Sequence, residues 1–97
     1  MPDQKIILTG DVRNPIYKLE PSQGLELRRL FAKAVDLDEP KAQSMANRLI
    51  YADSISHRSL YYILCQLVDH GSEEIPSWIY ELFELRNKML TGILEAA

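Results

Sequence analysis

The spacing of apolar residues from Ser22 onward constrains the fold of this chain more than any other feature. Apolar side chains recur there at intervals of three and four residues, which places them on one face of a helix. The pattern falls into four segments, with breaks near Asp38, at Tyr51–Ser56 and at Gly71–Pro76. It therefore predicts four helices in series, the first three with Ser22, Asp38 and Ser56 as their N-caps.

The third and fourth segments carry the strongest patterns. The third has apolar residues at positions i, i+3, i+4, i+7 and i+8, namely Leu60, Ile63, Leu64, Leu67 and Val68. We expect this helix to end at Gly71 in the C′ position, and the fourth to begin at Pro76 and run to the C-terminus.

The fourth helix has an unusually wide apolar face. In projection nine apolar side chains cover about half its circumference, against the roughly 100° stripe of a surface helix; they are Trp78, Ile79, Leu82, Phe83, Leu85, Met89, Leu90, Ile93 and Leu94. Three short helices offer too little surface to cover such a face, so we expect part of it to bind another protein, with a homodimer as the favoured form. The residues expected to contact the partner on this helix are Trp78, Leu82, Leu85, Arg86, Met89 and Ile93.

The first 21 residues differ from the rest. They contain two short apolar runs, Lys5–Thr9 and Pro15–Leu19, on either side of a turn-forming stretch. Such runs form a β-hairpin or an extended arm lying over the helices, and the sequence leaves both open. The expected fold class is all-α: a compact four-helix bundle, residues 22–97, preceded by an N-terminal extended arm or β-hairpin, residues 1–21.

Arg86 is the one charged residue near the middle of the apolar face of the fourth helix. Burial of an unpaired charge costs several kcal/mol, so the guanidinium needs a partner or access to water. It can pair with a carboxylate such as Asp53 or Glu26, extend to the edge of the face, or cross an interface. We favour an ion pair or extension to the edge, because long cationic side chains often cover apolar surface in this way.

Tyr62 projects from the third helix on the side opposite its apolar stripe, near Arg58. Tyrosine beside arginine is typical of protein interaction surfaces, so both residues are candidate contacts to a partner. The alternative is that the N-terminal residues Ile16 and Tyr17 cover Tyr62. Tyr61 lies at the edge of the stripe and is expected to be structural.

No motif for catalysis or metal binding is found. Cys65 is the single cysteine, the two histidines show no metal-ligand spacing, and the four glycines are too scattered for a phosphate-binding loop. We therefore expect no enzymatic activity, no cofactor, no metal and no small-molecule substrate.

Charge and hydropathy limit which non-catalytic functions fit this chain. The net charge is −3, and residues 61–97 hold two basic against six acidic side chains, which disfavours nucleic-acid binding. The chain has no apolar run of roughly 20 residues and no signal-peptide pattern, so a cytoplasmic location without a membrane contact is expected. The favoured function is a protein–protein interaction domain, such as an adaptor, assembly factor or regulatory subunit. The alternative is a helix-turn-helix-like DNA-binding regulator that uses the third helix.

Overall fold

The computed structural model describes residues 7–70 and 74–96, with side chains described for residues 11–70 and 74–92. Along the chain the elements are β1 (Ile7–Asp11), β2 (Asn14–Lys18), α1 (Pro21–Ala34), α2 (Pro40–Ile50), β3 (Ser54–Ser56), α3 (His57–Asp69) and α4 (Ser77–Ala96). The four helices indicated by the apolar spacing are present. The chain is nonetheless mixed in class, because three of its elements form a sheet.

The sheet is antiparallel with the order β1-β2-β3, so β2 is its central strand. Strand β3 pairs with β2 through Ile16 opposite Ser56 and Lys18 opposite Ser54. The expected all-α four-helix bundle is therefore wrong. The sequence gives little sign of β3, since three residues are too few to show an alternating pattern, and Ile55 is their single apolar side chain.

Of the two forms considered for the N-terminal residues, the β-hairpin is the one that occurs. Its strands are joined at Val12 and Arg13, and the Arg13 backbone N–H donates to the carboxylate of Asp11 at 3.1 Å. Tyr17 and Leu19 follow the turn and are 0% and 2% exposed, within one apolar cluster with the helices. A hairpin alone is only marginally stable in water, and this one gains stability from β3 and from that cluster.

The starts of the helices were predicted with mixed success. The Ser56 N-cap of α3 is confirmed, since the side-chain oxygen of Ser56 accepts from the backbone N–H of Ser59 at 3.2 Å. The other two predicted caps are wrong, because α1 begins at Pro21 and α2 at Pro40, each after a glutamate. Proline suits the first helical position, where its missing N–H is not needed. The predicted end of α3 at Gly71 lies outside the described residues.

The core lies between the sheet and the helices. Its largest fully buried side chains come from β2 and all four helices: Tyr17, Phe31, Leu27, Leu49, Leu60, Ile63, Leu67, Ile79 and Pro15. Helix α1 passes close to the end of α2, where a Cβ atom placed on Gly24 would lie 3.0 Å from the Leu49 carbonyl oxygen. Within the described residues, no helix is both long and apolar enough to cross a membrane.

Candidate functional site

Helix α4 packs on the rest of the molecule through its first half. Ile79 is 0% exposed and Leu82 is 8% exposed, and both belong to the main core. Trp78 is partly buried, and its indole N–H donates to the carboxylate of Glu26 on α1 at 2.9 Å. These contacts attach residues 78–83 of the helix to the body of the protein.

The second half of α4 is much less covered. Among its described side chains from Asn87 to Gly92 none is buried, and Met89 is 36% exposed. Leu85 and Leu90 are partly exposed. Leu82, Leu85 and Met89 follow a spacing of three and four residues, so they form one row that runs from the buried half into the uncovered half.

An open cleft of about 480 Å³ lies beside this row. Its walls come from α4, the end of β2 and the start of α1. Its lining residues are Lys18, Glu20, Gln23, Trp78, Glu81, Leu82, Glu84, Leu85 and Lys88. The lining thus combines an apolar floor with charges of both signs. Lys88 and Glu84 lie 3.9 Å apart on the helix surface, a separation at which exposed ions contribute little to stability.

Arg86, four residues after Leu82 and three before Met89, lies beside this row on the flank that faces the hairpin turn. Its Nη2 atom donates to the backbone carbonyl oxygen of Arg13 at 2.8 Å, and its Nη1 atom donates to the Asn87 side chain at 3.4 Å. Its Nε atom is buried without an acceptor among the described residues. The suggested pairing with Asp53 or Glu26 does not occur in the structure, and the guanidinium remains a cation bound to neutral acceptors.

A group of aromatic rings lies beside Arg86. The Tyr17 hydroxyl is 2.7 Å from Nδ1 of His57, whose ring packs edge-on against Phe83 at 5.1 Å and stacks with Tyr61 at 6.2 Å. Burial raises the pKa of Tyr17 to about 12, although the charge of Arg86 acts in the opposite direction. Burial lowers the pKa of His57, and the charge of Arg86 lowers it further. The neutral imidazole can therefore accept a hydrogen bond from the Tyr17 hydroxyl.

The two adjacent tyrosines of α3 differ in their exposure. Tyr62 is partly buried, with its ring edge-on to Phe31 at 5.9 Å and beneath the Lys41 ammonium at 4.5 Å. Tyr61 is 56% exposed. Helices α1 and α2 thus cover Tyr62 in place of the N-terminal residues, which leaves Tyr61 at the surface near Arg58.

The predicted contact residues therefore divide among several places. The row beside the cleft contains three of them, Leu82, Leu85 and Met89, and Trp78 lines the cleft. The body already covers Leu82 and part of Trp78. Arg86 and the exposed Arg58 lie near the hairpin turn, whereas Tyr62 packs against α1. The side chain of Ile93 lies outside the described residues.

Sequence reasoning missed Arg13, His57 and Tyr61. Arg13 belongs to a turn whose position in space depends on the unrecognised strand β3. His57 and Tyr61 are one helical turn apart, and this spacing was the available signal for a shared surface.

The connection between α2 and α3 does not favour a helix-turn-helix. It contains β3, which is paired to β2, and the start of α3 is covered by the hairpin turn, where the Asn14 side chain accepts from the Arg58 N–H at 2.9 Å. A recognition helix needs a short turn before it and an open N-terminal end to enter a groove.

The described residues include no group of three or more histidine, cysteine, aspartate or glutamate side chains placed to hold a metal ion. Comparison with protein-family models, with curated proteins and with solved structures finds no match to this chain. The candidate surfaces therefore rest on their geometry and chemistry alone.

Proposed function

We propose that this chain is a protein–protein interaction domain that pairs with a second copy of itself through α4. The observation that carries the proposal is the difference in burial along α4, from Ile79 at 0% exposed to Met89 at 36% exposed. The apolar row of this helix thus continues beyond the body that covers its first part.

The cleft and the uncovered half of the helix complement one another. The cleft presents Trp78, Leu82 and Leu85, and the second half of α4 offers Met89 at the spacing of an apolar helix face. In a twofold dimer the second half of each α4 enters the cleft of the other copy. Such an isologous interface uses the same surface twice, so each feature has its counterpart.

The charges beside the row are also self-complementary. Glu81 and Lys88 are seven residues apart, so they lie on the same flank of α4, and both line the cleft. When two copies pack antiparallel, Glu81 of one copy lies near Lys88 of the other. A parallel arrangement places like charges together and is disfavoured.

The first test is the mass in solution over a range of concentrations, by light scattering or analytical ultracentrifugation. We expect the wild-type chain to reach twice its mass of 11.2 kDa. Met89→Glu should weaken the dimer by more than about tenfold, or 1.4 kcal/mol, because it places a charge in an apolar contact. The control is Tyr51→Glu, at a tyrosine that is 90% exposed at the end of α2, and it should dimerise like the wild type.

Exchange of the flanking charges tests the orientation. Glu81→Lys alone and Lys88→Glu alone should each weaken the dimer, and the double variant should recover the wild-type association. A wild-type chain that keeps its monomer mass at every concentration would overturn the proposal. So would a Met89→Glu chain that dimerises as strongly as the Tyr51→Glu control.

The proposal includes a cytoplasmic location and no catalytic role. Cys65 is the single cysteine, so no disulfide can form within the chain, and disulfides are rare in cytoplasmic proteins. The proposed role rests on a surface and needs no cofactor.

A further inference from the structure

Three arginine residues lie where the hairpin turn contacts the helices, and none of them lines the cleft. Arg86 of α4 donates to the carbonyl oxygen of Arg13, and the backbone N–H of Arg58 on α3 donates to the side chain of Asn14, the next residue along. Two hydrogen bonds thus hold α3 and α4 to the same turn. The arginines come from positions 13, 58 and 86 of the chain, so only the fold brings them together.

The positive charge at this place is not neutralised within the described part of the chain. No described carboxylate lies within 4 Å of the guanidinium groups of Arg13, Arg58 or Arg86. Asp11 is in the same turn, where its carboxylate accepts from the Arg13 backbone N–H. A local excess of cations in a protein of net charge −3 favours an anionic partner at this position.

An aromatic surface adjoins the arginines. The rings of His57, Tyr61 and Phe83 are in mutual contact, with centroids 5.1 to 6.3 Å apart. Tyr61 is 56% exposed, and Arg58 is exposed less than one helical turn before it. Exposed tyrosine and arginine supply much of the binding energy in protein interfaces, because they combine large contact areas with hydrogen bonding.

We propose that the surface formed by Arg13, Arg58, Arg86, Tyr61 and Phe83, here called the arginine–tyrosine surface, binds an acidic segment of a partner protein. Carboxylates of the segment contact the two exposed arginines, and an apolar side chain of the segment packs on Tyr61. This surface uses other residues than the α4 row and the cleft, and the binding proposed for it does not require a dimer.

A nucleic acid fits this surface less well. The N-terminal amides of α3 that could hold a phosphate are already used, Arg58 N–H by Asn14 and Ser59 N–H by Ser56. The affinity of a protein for nucleic acid grows with the number of phosphates it neutralises, and a net charge of −3 opposes the approach of a polyanion. A short acidic segment can bind through the local positive charge of the three arginines alone.

The test is a fluorescence anisotropy titration of the full chain with a short labelled peptide of alternating Glu and Leu residues. We expect saturable binding that weakens as salt is added, and no binding of the matched peptide with Gln in place of Glu. Arg58→Ala should weaken binding by about 2- to 5-fold, the range for an exposed ion pair, and Arg13→Glu with Arg58→Glu by more than about tenfold.

Arg29→Glu is the matched control, because Arg29 is an exposed arginine on α1, and it should bind the peptide like the wild type. Tyr61→Ala should weaken binding without changing its dependence on salt, since it removes apolar contact and leaves the charge. Met89→Gln, which adds no charge near Arg86, should bind like the wild type, which separates this surface from the dimer.

Three results would each overturn the proposal. The first is equal binding of the Glu and Gln peptides. The second is equal weakening by Arg29→Glu and by Arg58→Glu. The third is tighter binding of a labelled oligothymidine than of the Glu peptide, which would assign the surface to nucleic acid.

Discussion

The two halves of α4 have similar apolar composition and different surroundings. In the first half Ile79 and Leu82 lie in the core, and Trp78 is bonded to α1. In the second half Met89 is 36% exposed and no described side chain is buried. The body of this protein therefore covers about half of its longest helix, while the apolar row continues beyond it.

The border between the two halves lies near Phe83 and Arg86. Phe83 packs against His57, and Arg86 reaches the carbonyl oxygen of Arg13, so both connect α4 to the sheet end of the molecule. The protein as a whole is elongated, with extents of 46, 26 and 24 Å along its principal axes. An amphipathic helix that extends beyond its core gains stability when a second surface covers it.

The largest expected effect comes from shortening one apolar side chain in each half. Ile79→Ala should lower the free energy of unfolding by about 2–5 kcal/mol, because Ile79 is 0% exposed and its loss leaves a cavity. Leu85→Ala should lower it by at most about 1 kcal/mol, since Leu85 is partly exposed. Urea unfolding measures both values, at a protein concentration low enough to keep the chain monomeric.

Equal losses in the two variants would show that the second half is as well packed as the first. A small loss for Ile79→Ala would contradict the core position of α4. The predicted dimer adds a further check, because at high concentration Leu85→Ala should lose more stability than it does at low concentration.

A second effect concerns His57 and its dependence on pH. The folded protein lowers the pKa of His57 below its ordinary value of 6.5, so the unfolded chain takes up the proton more readily. The contribution of His57 to the free energy of unfolding should therefore be fully present above pH 6.5. It should be lost as the pH falls below that value. His57→Gln should remove this part of the pH dependence, whereas His70→Gln, at the exposed histidine, should keep it. Equal behaviour of the two variants would contradict the assignment to His57.

The same contact gives an effect at alkaline pH through Tyr17. Its pKa rises to about 12 from the ordinary value of 10.0, so the unfolded chain loses the phenolic proton first. Stability should fall as the pH rises from about 10 toward 12, and Tyr17→Phe should lack this loss. The substitution also removes the hydrogen bond to His57, at a cost of about 0.5–1.5 kcal/mol at neutral pH.

The helices could be predicted from the sequence because each has an apolar face long enough to show its period. The stripe from Leu60 to Val68 is an example, and its members Leu60, Ile63 and Leu67 are fully buried. Strand β3 could not be predicted in this way, because a strand of three residues depends on its pairing partner more than on its own residues. The all-α interpretation failed for this reason.

The candidate surfaces could be predicted only in part. The wide face of α4 indicated surface beyond what the other helices cover, and Met89 is exposed as that width implies. The arginine–tyrosine surface could not be found, since the partner atom of Arg86 is a backbone carbonyl in the hairpin turn. A carbonyl oxygen is present at every residue, so no residue type marks it in advance.

The smallest expected effects come from two helical glycines, Gly24 of α1 in the body of the protein and Gly92 in the second half of α4. A Cβ atom at Gly24 would lie 3.0 Å from the Leu49 carbonyl oxygen and 3.3 Å from that of Ala52, whereas a Cβ atom at Gly92 would meet no atom within 4 Å. Alanine favours a helix over glycine by about 1 kcal/mol, so Gly92→Ala should stabilise the protein by up to that amount. Gly24→Ala gains the same preference, but the overpacking against two backbone oxygens costs about 1–3 kcal/mol, which makes a net loss the expected result.

The thermal unfolding midpoint should therefore rise for Gly92→Ala and fall for Gly24→Ala. The direction of each shift is enough to test the prediction. A higher unfolding midpoint for Gly24→Ala would mean that the start of α1 moves away from the end of α2 at little cost. That result would contradict close packing between these two helices. A fall for Gly92→Ala in the monomer would mean that the second half of α4 already lies against another part of the chain. Such a fall seen only where the chain is dimeric would instead place Gly92 in the interface, where a close approach of the two helices leaves no room for a methyl group.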